Sequence, residues 1–341
     1  MIRIHRGPEP EVLRSERRRR LCQAVLARQA GREVDFSGYE VARDGLAEAL
    51  NQKCAFCEKD LRKAGSPVEH FRPKALVHNE GEAEDRSRYW WLAWTWENLL
   101  FACFRCNSTY KKNQFPLEPG TAPLPEYSFD LDLEHPLLID PARVDPREHI
   151  RFRWSSTRRR WFPMPVPGSK LAQKTITVLG LDEDDDPQRH FEQHVEPWIQ
   201  QLEDQIRSGN QQAVQRTWKY MITAFFARGQ AFQAFTWDVL DHHFPEKRRQ
   251  TWGLELPSIG RHENLPPTPT FDDPPEMNQL PEELQLRVRA LGSYASWDEA
   301  RGVLRQVLRL GAWTDEQLAR LFDRQESTIR SWRQKLMRSG S

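Results

Sequence analysis

The chain has no excess of either charge: 50 lysines and arginines stand against 49 aspartates and glutamates over 341 residues, for a formal net charge of +1. Total charge therefore advertises neither a nucleic-acid nor a membrane-surface partner, and any such role has to rest on local clusters. Long apolar runs are missing too, none approaching the ~20 residues that cross a bilayer. The polar start, Met-Ile-Arg-Ile-His-Arg, lacks the apolar stretch that directs secretion, so a cytoplasmic location without membrane contact is expected. Cysteine is scarce: there are five, and four of them form two tight pairs, Cys54-x-x-Cys57 and Cys103-x-x-Cys106. In a reducing compartment such pairs point to metal rather than to disulfides. Cys22 stands apart and reads as a small buried residue.

What is present centres on residues 54–115. Each Cys-x-x-Cys forms a tight turn presenting two thiolates, and two such turns brought together across the 45 intervening residues give tetrahedral four-cysteine coordination of Zn2+. A redox pair or unrelated buried cysteines is the alternative. A zinc held by four protein thiolates has no open position, so its role is structural.

Between the pairs lies Val68-Glu69-His70-Phe71, following a Gly65-Ser66-Pro67 turn and reading as a short hairpin strand. Adjacent strand residues face opposite ways, which lets one side chain bind a metal while its neighbour addresses a water. Asn98-Leu99-Leu100-Phe101 leads into the second pair, and Asn107 opens a short helix expected over Asn107 to Lys112, from which its amide can reach back to the hairpin. Carboxylate and amide oxygens suit Mg2+ or Mn2+. Arg105, Lys111 and Lys112 near Asn107, and Arg72 and Lys74 beside His70, are candidate phosphate contacts. Each can equally be a solvated side chain.

The pattern Cys-x2-Cys, Glu-His, Asn-Leu, Cys-x2-Cys-Asn, Lys resembles the HNH endonucleases of the ββα-metal fold, in the subgroup with a zinc ribbon. Ile2 to Pro10, His70-Phe71-Arg72-Pro73-Lys74, Tyr89-Trp90-Trp91-Leu92-Ala93, Phe115-Pro116-Leu117 and Leu138-Ile139-Asp140-Pro141 are similar to the PtuB-type nucleases that accompany an ABC-type ATPase in Septu antiphage systems and in some retron systems. The resemblance covers about residues 1–185. It implies a hydrolase cutting phosphodiester bonds of DNA, with His70 as general base, Glu69 and Asn107 as ligands of one catalytic Mg2+ or Mn2+, and Asn98 holding the loop that orients His70. Glu69 stands where the wider group commonly has Asp, and Asn107 where it has His. RNA or tRNA is the alternative substrate, and a non-catalytic zinc-supported DNA-binding regulator the alternative class.

Elsewhere the expected fold class is α+β, mostly α. Residues 1–50 read as a helical lead, with a helix over Glu11 to Ala30 carrying the run Arg17 to Arg20, and a second over Tyr39 to Asn51. The nuclease core spans 51–118. Tyr89 to Trp96 reads as a hydrophobic wall or a base-stacking platform. Residues 119–255 combine a proline-punctuated segment, a strand pair over Ile150 to Pro163, and helices over Ser169 to Leu179, Pro187 to Ser208, Gln211 to Arg228 and Gln230 to His243. His78 and His242-His243 read as a loop residue and a helix end. Seven prolines between Leu256 and Pro281 mark a linker at 256–281. Residues 282–341 resemble a helix-turn-helix with Thr314 as N-cap and Leu318, Leu321, Ile329 and Trp332 as core. Arg330 and Arg333 would then be groove contacts, unless the bundle docks protein instead.

Overall fold

A computed structural model describes residues 1–62, 67–79, 81–259, 274–289, 291 and 296–338. The expected turn at Gly65-Ser66 and most of the expected linker lie outside the described residues. In chain order the elements are α1 (Glu11–Gln29), α2 (Arg43–Ala49), β1 (Val68–His70), β2 (Leu99–Phe101), a π-helical segment (Arg105–Lys111), β3 (Ile150–Ser155), β4 (Arg160–Pro165) and α3 (Lys170–Leu179). There follow α4 (Asp186–His190), α5 (Glu196–Arg207), α6 (Gln211–Phe225), α7 (Gln233–His243), α8 (Glu246–Trp252), α9 (Glu282–Arg289), α10 (Trp297–Arg309), α11 (Asp315–Leu321) and α12 (Glu326–Arg338). The mix is α+β and mainly helical. The chain divides into two compact units, each assembled from separated stretches.

The first unit takes Met1–Gly7, Arg43–Arg88 and Leu99–Pro266. One core of the unit lies where α5, α6 and α7 meet the β3–β4 hairpin: Trp161, Val195, Leu202, Val214, Phe235 and Val239 are all buried there. Asp238 on α7 fixes the hairpin, accepting from the backbone of Phe152 at 2.7 Å and from the Arg151 guanidinium at 2.7 Å. Burial pushes the Asp238 carboxyl up, and the arginines Arg151 and Arg147 pull it partly back. A single helix was expected over 187–208, but a π-helical turn, Phe191–Val195, separates α4 from α5. Pro197 has no N–H to donate to the carbonyl of Gln193, and the helix widens there. The helix α8, and the split of Tyr39–Ala49 into a 3₁₀ turn and α2, are not marked by any sequence period.

Ser169 caps α3, accepting from Ala172 N. The helix stops at Gly180, which is left-handed at φ 54° and lies directly against the Tyr110 ring of the π-helical segment.

The second unit takes Pro8–Ala42, Tyr89–Asn98 and Pro267–Ser341. Tyr89, Trp90, Trp91, Trp94 and Trp96 are at most 3% exposed, so this segment is core wall and not a stacking surface. Arg28 of α1 lies 4.7 Å over Trp90, and Trp94 donates to Ser37 O. The arginine run of α1 is spent inside the unit: Arg17 reaches Glu9, Arg18 reaches Asp323, and Arg19 and Arg20 both reach Glu16. In the C-terminal part Leu318, Leu321, Ile329 and Trp332 are buried as the pattern predicts, and Thr314 forms a capping box with Gln317. Arg330 pairs with Asp315 and Glu326, and Arg333 with Asp315 and the carbonyl of Trp313. The two arginines expected to read a groove are therefore engaged by carboxylates of the same bundle.

Replacing Gly180 by alanine puts a Cβ into the Tyr110 ring at a backbone angle that disfavours side chains. Gly180→Ala is expected to destabilise the protein by more than about 1 kcal/mol, seen as a lowered urea midpoint.

Candidate metal centre and adjoining strand–helix site

Two turns deliver the cysteines. In the first, Glu58 at φ 62° lets the chain fold back so that Glu58 N donates to Cys54 O and Cys54 N to Lys59 O. In the second, Cys106 N donates to Cys103 Sγ, and Cys103 N donates across to Cys54 Sγ at 3.3 Å. All four sulfurs lie within 4.8 Å of one another, and Cys57 Sγ stands 3.8 Å from Cys103 Sγ. Thiolates about 2.3 Å from a common zinc sit about 3.8 Å apart in a tetrahedron, whereas a disulfide needs about 2.0 Å. The donor set and its spacing fit Zn2+. Hydrogen bonds among the sulfurs hold Cys103 well below the usual thiol range and push Cys57 and Cys106 above it. Cys22 is buried alone, and its thiol is pushed up to about 11 by desolvation.

Both turns are tied to the helical layer of their unit. Glu58 is 2% exposed and accepts from the backbone of Gln233 at 2.9 Å and of Ala234 at 3.3 Å, so it caps α7. Lys59 pairs with Asp186 at 2.6 Å, and Arg105 reaches Asp184 at 3.6 Å and Gly180 O at 2.7 Å. Sequence reasoning missed Glu58. Its left-handed backbone beside a cysteine turn is not a residue-type signal.

From this base the chain forms an antiparallel pair and a helix. β1 and β2 pair as Val68 with Phe101, Glu69 with Leu100, and His70 with Leu99. Ala55 N donates to Phe101 O, which fastens the first cysteine turn to β2. The helix after Cys103 runs from Arg105 to Lys111, starts two residues earlier than expected, and is π-helical, closed by Lys112 N donating to Asn107 O at 2.7 Å.

Lys111 joins helix to strand. Its side chain is 1% exposed, and its ammonium lies 2.6 Å from Glu69 Oε1 and 2.9 Å from His70 O. Burial pushes the Glu69 carboxyl up, and Lys111 pulls it partly back. Lys111 thus engages Glu69 Oε1 directly. Asn107 lies four residues before Lys111, about one turn along, and is half-buried. A buried carboxylate and an amide on the adjoining helix are oxygen donors of the kind Mg2+ or Mn2+ takes. His70 is 6% exposed and Asn98 fully buried, with Asn98 Nδ2 donating to Leu92 O just before β2 begins.

Several of the expected phosphate contacts are placed otherwise. Arg72 is 1% exposed, its guanidinium held by Glu134 at 2.5 Å and by Leu131 O. Arg105 is absorbed by Asp184, Gly180 O and the Tyr110 ring, which it covers at 4.3 Å. Lys111 is enclosed as described. The buried Arg72 guanidinium and Lys111 ammonium are positioning groups that do not meet solvent-borne phosphate, whereas Arg105 keeps 27% of its side chain exposed. Lys74 is half-buried within electrostatic range of Glu69, and Lys112 is exposed.

The chain is similar to two curated proteins. It is 33% identical over 197 residues to the Septu protein PtuB of Bacillus mycoides (strain KBAB4), covering 53% of this chain and 63% of the relative. It is 28% identical over 186 residues to the Septu protein PtuB of Bacillus thuringiensis, covering 54% and 55% respectively. The chain thus spans less than two thirds of the length of either. No protein-family description and no solved structure matches it. No helix among the described residues is long and apolar enough to cross a membrane.

Two outcomes follow from this geometry. Cys106→Ser should lose the bound zinc, read by atomic absorption on purified protein; retention of a full equivalent would rule out four-thiolate coordination. Lys111→Ala leaves Glu69 as an uncompensated buried charge and is expected to cost about 3–5 kcal/mol in urea unfolding, with most of the loss recovered in Glu69→Gln/Lys111→Met.

Proposed function

We propose that the chain is a metal-dependent endonuclease of the HNH type, hydrolysing phosphodiester bonds of DNA as the effector of an antiphage system, and that it works with an ATPase partner. The observation carrying this reading is the β1–β2–helix arrangement. Glu69-His70 is paired to Leu99-Leu100 and clamped by Lys111 from a helix that leaves the second cysteine turn and carries Asn107. The similarity to the two Septu proteins PtuB supports the defence setting.

His70 is the general base. A neutral imidazole takes the proton of an attacking water near pH 7, and the bond from Lys111 to the His70 carbonyl holds that strand residue in place. Glu69 and Asn107 would hold the catalytic Mg2+ or Mn2+. When bound, that ion would polarise the phosphate and neutralise charge developing on the leaving oxygen. Lys111 fixes the Glu69 carboxylate, and Asn98 fixes the turn that delivers Leu99 opposite His70. Among the described residues, Lys74, Arg105 and Lys112 are basic side chains near the site that meet solvent at least in part. The four cysteines hold zinc and take no part in the bond-breaking step.

The test is cleavage of supercoiled plasmid and of tRNA, with Mg2+ or Mn2+ and with chelator, in the presence and absence of the partner ATPase. Wild type should nick or cut plasmid only with metal. His70→Ala should lower the rate about 10²–10⁴-fold, and Asn107→Ala should abolish cutting while zinc content and the melting transition stay as in wild type. A His70→Ala protein that cuts as fast as wild type sinks the assignment of the base. Cutting of neither substrate, with the ATPase present, sinks the enzymatic reading.

A further inference from the structure

A groove of about 550 Å³ lies between the β3–β4 hairpin and α3, in the same unit as the strand–helix site. Its volume is in the range of small-ligand sites. Arg153, Trp154 and Arg158 line it from the hairpin, and Gln173 and Thr177 from α3, with Asp182 just beyond that helix.

The hairpin carries both paired and unpaired arginines. Arg151 and Arg160 are held by Asp238 and Asp185. Arg153, Arg158 and Arg159 are exposed and make no ion pair among the described residues. Arg158 is steered over the groove wall by the Phe162 ring, 4.9 Å below its guanidinium. Met164 is 49% exposed on the same face of the hairpin as Arg153. Exposed guanidinium groups, the apolar surface of Met164, which shares the Arg153–Phe162 face of the hairpin, and a rim of hydroxyl, amide and carboxylate groups together match a nucleotide unit, offering phosphate contacts, an apolar face for a base and partners for base edges. Asp182 at the rim accepts from the exocyclic amino group of a base, a donor that the side chains of an acidic peptide lack.

The groove is also fixed relative to the candidate site. The helix α3 that forms its wall ends at Gly180 on the ring of Tyr110, and Tyr110 donates to Glu183 at 2.8 Å. Tyr110 lies between Asn107 and Lys111 on the π-helical segment. Whatever rests on α3 is therefore positioned against the helix that carries the candidate ligand.

We propose that the groove between the β3–β4 hairpin and α3 is a subsite for single-stranded nucleic acid, with Arg153 and Arg158, and Arg159 at the adjoining hairpin turn, on its phosphates and the exposed Met164 against a base. The proposal rests on the nuclease reading for its substrate class and adds where an unpaired stretch of that substrate is held.

The experiment is fluorescence anisotropy of the full chain, in chelator so that nothing is cut, with labelled oligothymidylate and oligouridylate of about 20 nucleotides and a duplex of the same length. Arg153→Ala/Arg158→Ala/Arg159→Ala should weaken single-strand binding at least about tenfold and flatten the slope of log Kd against log salt by about 2, as expected for three lost phosphate contacts. The corresponding triple lysine variant should recover the salt slope, and a wild-type thermal melt for both variants excludes misfolding. Gln173→Ala/Thr177→Ala on the facing wall should weaken binding without changing the slope. Loss for thymidylate, uridylate or both supports the subsite and says which sugar it takes. Undiminished binding by the triple alanine variant overturns it, as does a preference for duplex or displacement by polyglutamate as readily as by oligothymidylate. Groove-dependent binding by a protein that cuts nothing would leave the subsite standing and remove the nuclease; normal cutting with groove-independent binding would do the reverse.

Discussion

The constraint on which the rest of the first unit depends is the convergence of four sulfurs within 4.8 Å. It joins a turn that precedes the antiparallel strands to a turn that follows them, and each turn is fastened outward by charge. Glu58 caps α7, Lys59 pairs with Asp186, and Arg105 holds Asp184 and Gly180 O. The strands β1 and β2 have three residues each, too few to be stable as an isolated pair. Their order comes from the Ala55–Phe101 bond, from Lys111 and from the sulfur cluster.

Buried charge is used repeatedly here as a positioning device. Arg6 donates to Leu99 O at 3.0 Å and pairs with Asp140 at 3.1 Å, which holds the start of β2 from the side opposite His70. Arg72, just past β1, is held by Glu134, and Lys111 holds Glu69. A buried ion pair gains little net stability over an apolar replacement, yet removing one partner is costly. These three pairs therefore specify where the strands lie more than they stabilise them. They also account for the small number of cationic side chains beside the candidate site that face solvent.

The cysteine cluster was legible in sequence because a four-thiolate zinc needs two close pairs and little else. The strand and helix flanking it were legible because Val-Glu-His before a proline and Asn-Leu-Leu-Phe before a cysteine have few other local solutions. The bounds of α3 and α12 and the core of the C-terminal bundle followed from apolar periodicity and capping residues, whereas the ends of α6 and α7 nearest each other fall three residues from where the period places them. The basic contacts were not legible. Sequence cannot tell an arginine that meets phosphate from one that meets a carboxylate brought from 62 residues away, as Glu134 is to Arg72. The π-helical turns were hidden for a related reason, since an extra residue in a turn leaves the apolar period almost unchanged.

The long separations have a kinetic meaning. Glu69 and Lys111 are 42 residues apart, and 28 residues lie between His70 and Leu99, so the site contains almost no contacts that form locally. Closing such loops costs entropy before any contact repays it, and topologies of this kind fold slowly. A cation that captures the first cysteine turn and then the second would close the same loop in one step. On this view the metal acts on the order of folding as well as on its endpoint: the helix bearing Asn107 forms against an existing strand, rather than waiting for one to arrive.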